Sequence, residues 1–168
     1  MGTGKSGRYF KTKGSGHTVG SFAQVHSNEG TFKTSQVRVN GKMVKRLRLE
    51  SGGHGQAGMD LLDKYHIEYN IVKTFPNGVR IGNVPNHDKK AKRTGANQTW
   101  FPKSWTAKDI KQAGEHVAGL KGNRRIPNGK TIYGTWKGVR VGVIRTDGAI
   151  ATVFPDSNQG PALRRRHK

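Results

Sequence analysis

Two kinds of pattern share the chain. Period-two runs rich in β-branched residues cover most of it, and two stretches repeat apolar residues at helical spacing. Residues 17–49 hold strand-like runs such as HTVGSFAQV and QVRVNGKMVKRLRLE, with Asn40-Gly41 as a hairpin turn signal. In the second run the alternate residues are basic, so one strand face is cationic. AGMDLLDKYH sets Met59, Leu62 and His66 at helical spacing. IEYNIVKTF and GVRIGNV predict another hairpin, turned by Pro76-Asn77-Gly78. Residues 86–98 have no apolar period and read as a basic loop. TWFPKSW follows, then a helix from Thr106 to Leu120. Thr106 and Asp109 have capping-box spacing, and Gly122 supplies a stop. KTIYGTW, GVRVGVIR and AIATVFP predict an antiparallel meander with turns at Lys137-Gly138 and Asp147-Gly148.

This order, mostly β with about two helices, predicts an α+β fold of antiparallel sheets with helices packed on them. The expected organisation is a flexible leader over 1–16, one folded domain over 17–157 and a basic tail over 158–168. MGTGKS lacks both the spacing and the preceding strand of a phosphate-binding loop.

Charge narrows the partners. Lys and Arg total 31 against 10 acids, a formal net charge of +21, where a merely solvated surface would mix the signs. Such an excess suits a polyanion, because neutralising phosphates releases counterions. No apolar stretch approaches the ~20 residues that span a bilayer, so no membrane partner is expected. The absence of cysteine excludes disulfides and thiolate metal sites. The N-terminus has no apolar segment of signal-peptide type, so export is expected through a longer protein.

Cleaving RNA without metal requires a base for the 2′-hydroxyl proton, an acid for the leaving oxygen and a group to stabilise the phosphorane. Imidazoles suit the first two roles. Of seven histidines, His167 lies in the tail. His66 and His116 lie on or at the ends of predicted helices, where capping or half-burial is expected, and His17 and His26 fall in polar strand-like stretches expected to be solvated. His54, in the glycine loop SGGHGQAG, and His87, in PNHDKK, remain as the candidate catalytic pair. Glycines around His54 would let a phosphate approach the backbone and offer amide donors. Lys89, Lys90, Lys92 and Arg93 would hold the anion beside His87. The acids are scattered. Asn86, His87 and Asp88 adjoin, but neighbouring side chains diverge on an extended loop, which argues against a metal site. No cofactor is therefore expected, and a divalent metal enters only if the substrate is DNA.

A glycine-loop His, a second His in a basic loop, TWFPKSWTAKDI and YGTWKGVRVGVIRTDGAIATVFP together resemble the bacterial EndoU nuclease family over residues 50–156. The resemblance implies a two-lobed α+β fold and a toxin domain at the end of a larger secreted protein of the LXG type. It would act in the cytoplasm of a rival bacterium. It also implies two-histidine cleavage of RNA to a 2′,3′-cyclic phosphate, with His54 as the first histidine, His87 as the second and Thr152 at the hydroxyl position. Phe154 stands where a Tyr is common, leaving Tyr133 or Lys130 as substitutes. Trp100, Phe101 and Trp105 are expected to anchor a helix to its sheet rather than to stack on bases. A basic toxin domain implies an acidic immunity protein as partner. Two other readings stay open: a DNA-cleaving relative on the same fold, and a non-catalytic nucleic-acid-binding module.

Overall fold

A computed structural model describes residues 14–160. The element order is α1 (Ser21–Asn28), β1 (Thr31–Val39), β2 (Lys42–Ser51), α2 (Gln56–Lys64), β3 (Asn70–Thr74), β4 (Arg80–Asn83), β5 (Gln98–Trp100), α3 (Ala107–Gly119), β6 (Ile132–Trp136), β7 (Val139–Thr146) and β8 (Ala149–Pro155). Three antiparallel sheets result: β1-β2, β3-β4-β5 and β6-β7-β8. The fold is α+β, as the pattern predicts.

Local signals account for the hairpins. Asn40-Gly41, Lys137-Gly138 and Asp147-Gly148 each place two consecutive residues at positive φ, between 49° and 79°. Two-residue turns of this kind match the right-handed twist of their strands, and glycine adopts the second position without a Cβ clash. Thr106 caps α3 as expected. Its hydroxyl accepts from the Asp109 amide, and the Asp109 carboxylate accepts from the Thr106 amide at 2.8 Å.

Two hydrophobic cores lie side by side. The larger joins Ile110, Ala113 and Val117 of α3 to Val139, Val141 and Val143 of β7, with Val19, Ala23, Val79 and Phe101 closing it. The smaller gathers Leu49, Met59, Leu62, Ile67, Val84 and Trp100. Sheet β3-β4-β5 feeds both, and the adjacent buried rings of Trp100 and Phe101 look into different cores. Phe101 stacks on Trp105 with centroids 4.8 Å apart, which gives the aromatic run its anchoring role.

Some sequence expectations need correction. HTVGSFAQV does not form a strand. Its second half, from Ser21, opens helix α1, which packs on α3 and β8; Val19 just before the helix and Ala23 and Ser27 on it are buried at every fourth position. There are thus three α-helices among the described residues, not two. The 86–98 loop contains a 3₁₀ turn at Lys90–Lys92 and the start of β5, which is wholly buried and so shows no alternation. Helix α2 stops at Lys64, and His66 lies beyond it, exposed and at φ 58°; His116 is exposed too.

The leader region 1–13 and the tail from 161 onward lie outside the described residues. Residues 15 and 16 are bound to the fold, since Ile150 donates its amide to the Ser15 carbonyl and Arg145 reaches the Gly16 carbonyl, each at 2.9 Å. Gln159 is buried as well, bonded to Asn77 and to the backbone of Arg140 and Asp156.

A candidate active site at a helix C-terminus

The SGGHG loop is built around the end of α1. A helix leaves its last carbonyls without intrahelical partners. Here three successive amides supply them: Gly53 donates to the His26 carbonyl at 3.0 Å, His54 to Ser27 at 2.6 Å and Gly55 to Asn28 at 3.0 Å. The loop must lie flush against the helix for this, and only glycine permits it. A Cβ on Gly52 would sit 2.1 Å from the His26 carbonyl oxygen, and one on Gly55 would sit 1.8 Å from Asn28 Oδ1. Gly52 and Gly53 also adopt φ of 70° and 74°. The Gly53 and Gly55 amides, expected to receive a phosphate, are therefore committed to the helix.

This docking puts two imidazoles in one cleft of about 460 Å³, lined by His26, His54, Lys89, Lys92, Thr152 and Tyr133, with Phe154 as a wall. His26, expected to be solvated, is half-buried there, and its Nδ1 lies 2.9 Å from Thr31 Oγ1. The signal that finds it is the helical spacing of residues 19, 23 and 27, which turns His26 beside the loop. Thr152 follows a β-bulge: Ile144 pairs with Thr152 and Arg145 with Ile150, leaving Ala151 as the extra residue. Such an insertion re-aims the side chains that follow it. The Phe154 ring lies 5.8 Å from that of His54 and covers Gly142.

The backbone selects the tautomer of His54. Its Nδ1 lies 2.7 Å from the Thr99 carbonyl oxygen, which can only accept, so Nδ1 carries the hydrogen and Nε2 keeps its lone pair. Burial pushes its pKa from the usual 6.5 down to about 3, and the Lys92 charge adds to the fall. His54 is thus a neutral base at any ordinary pH. The pKa of His26 is lowered too, by burial and then by Lys89, with Glu50 opposing. Lys92 drops to about 8 through burial and the nearby Lys89 charge. Cations crowd this cleft. Asp156, the sole acid among its lining residues, pairs with Arg140 at 2.8 Å.

His87 is placed differently. It is 0% exposed and does not line the cleft. Its Nδ1 accepts the Lys89 amide at 2.8 Å, which leaves the hydrogen on Nε2, a buried atom without a partner. Burial, Lys92 and Lys89 lower its pKa to about 4. The loop around it is clamped: Arg48 and Arg93 both donate to the His87 carbonyl, at 3.1 and 2.7 Å, and Lys33 pairs with Asp88 at 3.1 Å. Arg93, expected to hold substrate, is committed to this clamp. Lys90 is exposed on the 3₁₀ turn and Lys130 is exposed before β6; neither lines the cleft. Tyr133 does, with the Arg140 guanidinium 4.4 Å from its ring centroid.

Among the described residues, no group of three or more His, Cys, Asp or Glu is arranged to hold a metal ion, and no helix is long and apolar enough to cross a membrane. A family model described as the bacterial EndoU nuclease matches residues 11–157. The comparisons with curated proteins and with solved structures give no match. The match takes in every strand and helix that shapes the cleft, and the chain belongs to the bacterial EndoU nucleases, endonucleases that act on nucleic acid.

Proposed function

We propose that this chain is a nuclease toxin domain that cleaves RNA by acid–base catalysis between His54 and His26. The supporting observation is the pairing of a tautomer-fixed, neutral His54 with His26 in one cationic cleft. His54 Nε2 takes the proton of the 2′-hydroxyl, and the freed oxygen attacks phosphorus. The bond to the 5′-oxygen breaks, and His26 in its protonated form delivers a proton to that oxygen. The products are a 2′,3′-cyclic phosphate and a free 5′-hydroxyl. Lys89 and Lys92 neutralise the phosphorane, and the Thr152 hydroxyl bonds one of its oxygens. A bound phosphodiester also offsets the lysine charges that hold His26 down, which favours its acid form. Tyr133 takes the place of the phenol that Phe154 lacks. In this reading His87 holds the turn that carries Lys89 and Lys92.

The chemistry needs no metal, because the nucleophile belongs to the substrate. The assay is cleavage of RNA by the purified chain in EDTA, with products resolved as cyclic phosphates and with His26→Ala and His54→Ala as controls. Plasmid cleavage that depends on Mg²⁺, with RNA intact, would overturn the reading in favour of a DNase. Binding without any cleavage would reduce the chain to a nucleic-acid-binding module.

Membership of the family carries the remaining context, secretion within a larger toxin and action in the cytoplasm of the target cell, and the net charge of +21 supports an acidic immunity protein that covers the cleft in the producer. Co-purification with the neighbouring gene product, weakened by salt, tests the partner.

A further inference from the structure

Hairpin β1-β2 stands out by charge. Residues 31–51 contain Lys33, Arg38, Lys42, Lys45, Arg46 and Arg48 against one acid, Glu50. A second hollow of about 380 Å³ lies against it, separate from the catalytic cleft, with Arg38, Lys45, Arg46 and Arg48 along one side and Tyr65 and His66 along the other. No Asp or Glu lines it. Tyr65 is 41% exposed, and its ring is held edge-on by Phe32, with centroids 5.5 Å apart. Arg48 is already engaged with the carbonyls of Asn86 and His87, whereas no ion pair involves Lys45 or Arg46 among the described residues.

We infer that this hollow is a second nucleic-acid subsite, which grips the substrate strand away from the scissile bond. The inference rests on the nuclease reading above and extends it. Guanidinium forks match phosphate oxygens, and an exposed aromatic face beside a cationic groove is the arrangement that holds single strands without reading sequence. The hollow is also tied to the cleft by one short segment. Asn86 lines the first and Lys89 the second, and three residues of chain span at most ~11 Å. A strand lying along the 86–89 turn meets cations at both ends. The only carboxylate on that turn, Asp88, is neutralised by Lys33. An acidic protein would also be drawn to the charge, but a hollow walled by guanidinium groups and one aromatic ring favours phosphates and bases.

The test uses the full chain with Arg38, Lys45 and Arg46 replaced by Ala, leaving Arg48 and its clamp in place, and separately with Tyr65→Ala. Binding is read by fluorescence anisotropy of a 20-nucleotide RNA in a His54→Ala background, so that it does not depend on cleavage. The triple variant should bind the strand at least tenfold more weakly. Its affinity should also depend less steeply on salt, by ~2 in the log–log slope for three lost phosphate contacts. Tyr65→Ala should weaken the strand severalfold with an unchanged salt slope. In the cleaving protein, the ratio of kcat/KM for the long strand to that for a dinucleotide should fall by the same factor. Unchanged strand binding by a folded triple variant overturns the inference. So does a variant that keeps strand binding but loses binding of polyglutamate, which would make the hollow an acidic-protein site. If the wild-type chain binds RNA through this hollow yet cuts neither substrate, the nuclease reading fails and the subsite stands.

Discussion

Gly53 donates its amide to the carbonyl of His26 at 3.0 Å, and through that bond and its two neighbours the glycine loop carries His54 to the imidazole of α1. The two histidines that share the cleft are therefore held together by backbone geometry, with Nδ1 of each ring on a fixed partner, Thr99 for His54 and Thr31 for His26.

Replacing His26 or His54 by Ala is expected to lower RNA cleavage by ~10²–10⁴-fold for each lost proton transfer. For His26→Ala, thermal stability should change little, since its ring is only half-buried. His87→Asn should behave in the opposite way. A 0%-exposed ring is lost, so the melting temperature falls, while kcat changes less than for the other two. Paired kinetics and melting curves for the three variants decide between His26 and His87 as the second imidazole.

Gly55→Ala should destabilise by about 2 kcal/mol or more, because its Cβ would overlap Asn28 Oδ1. Adding Asn28→Ala removes that atom and should recover part of the loss. Gly52→Ala meets a backbone carbonyl and a φ of 70°, so no side-chain change can rescue it. Urea melts of the single and double variants measure the contrast, and a Gly52→Ala chain as stable as wild type would contradict the loop geometry.

Acid should unfold the protein through its histidines. His54 and His87 have folded-state pKa values of about 3 and about 4, against an ordinary 6.5. The unfolded chain binds more protons than the folded one between those values. Their contribution is thus fully present above pH 6.5 and is lost progressively down to pH 4 for His87 and pH 3 for His54. The limiting slope is about 1.4 kcal/mol per pH unit for each ring. Melting temperatures measured from pH 7 to pH 4 should fall steadily, and His87→Asn should flatten the slope.

Arg145 is 6% exposed and has no carboxylate partner among the described residues; its guanidinium donates to the carbonyls of Gly16, Ala118, Asn123 and Ile126. Arg145→Met is expected to cost ~3 kcal/mol or more, since several buried acceptors lose a charged donor together. Arg145→Lys should restore only part of this, because an ammonium lacks the planar fork. Chemical denaturation reads both.

What the sequence determined by itself is what local physics controls. The Asn40-Gly41, Lys137-Gly138 and Asp147-Gly148 turns follow from which residues accept positive φ, and the start of α3 follows from one hydroxyl and one carboxylate three positions apart in the capping box, at Thr106 and Asp109. The glycines flanking His54 were equally legible as a demand for close approach, but the sequence does not say what approaches. Tertiary structure decided that it is the end of α1. The Val19, Ala23, Ser27 stripe is too short and too polar to show as a helix until α3 and β8 cover it. The same long-range docking brought His26 into the cleft that His54 lines, while His87 lies outside its lining, and it turned Arg93 from a free cation into a clamp on the His87 carbonyl. Those outcomes depend on which buried carbonyls need donors, and that is settled only when distant segments meet.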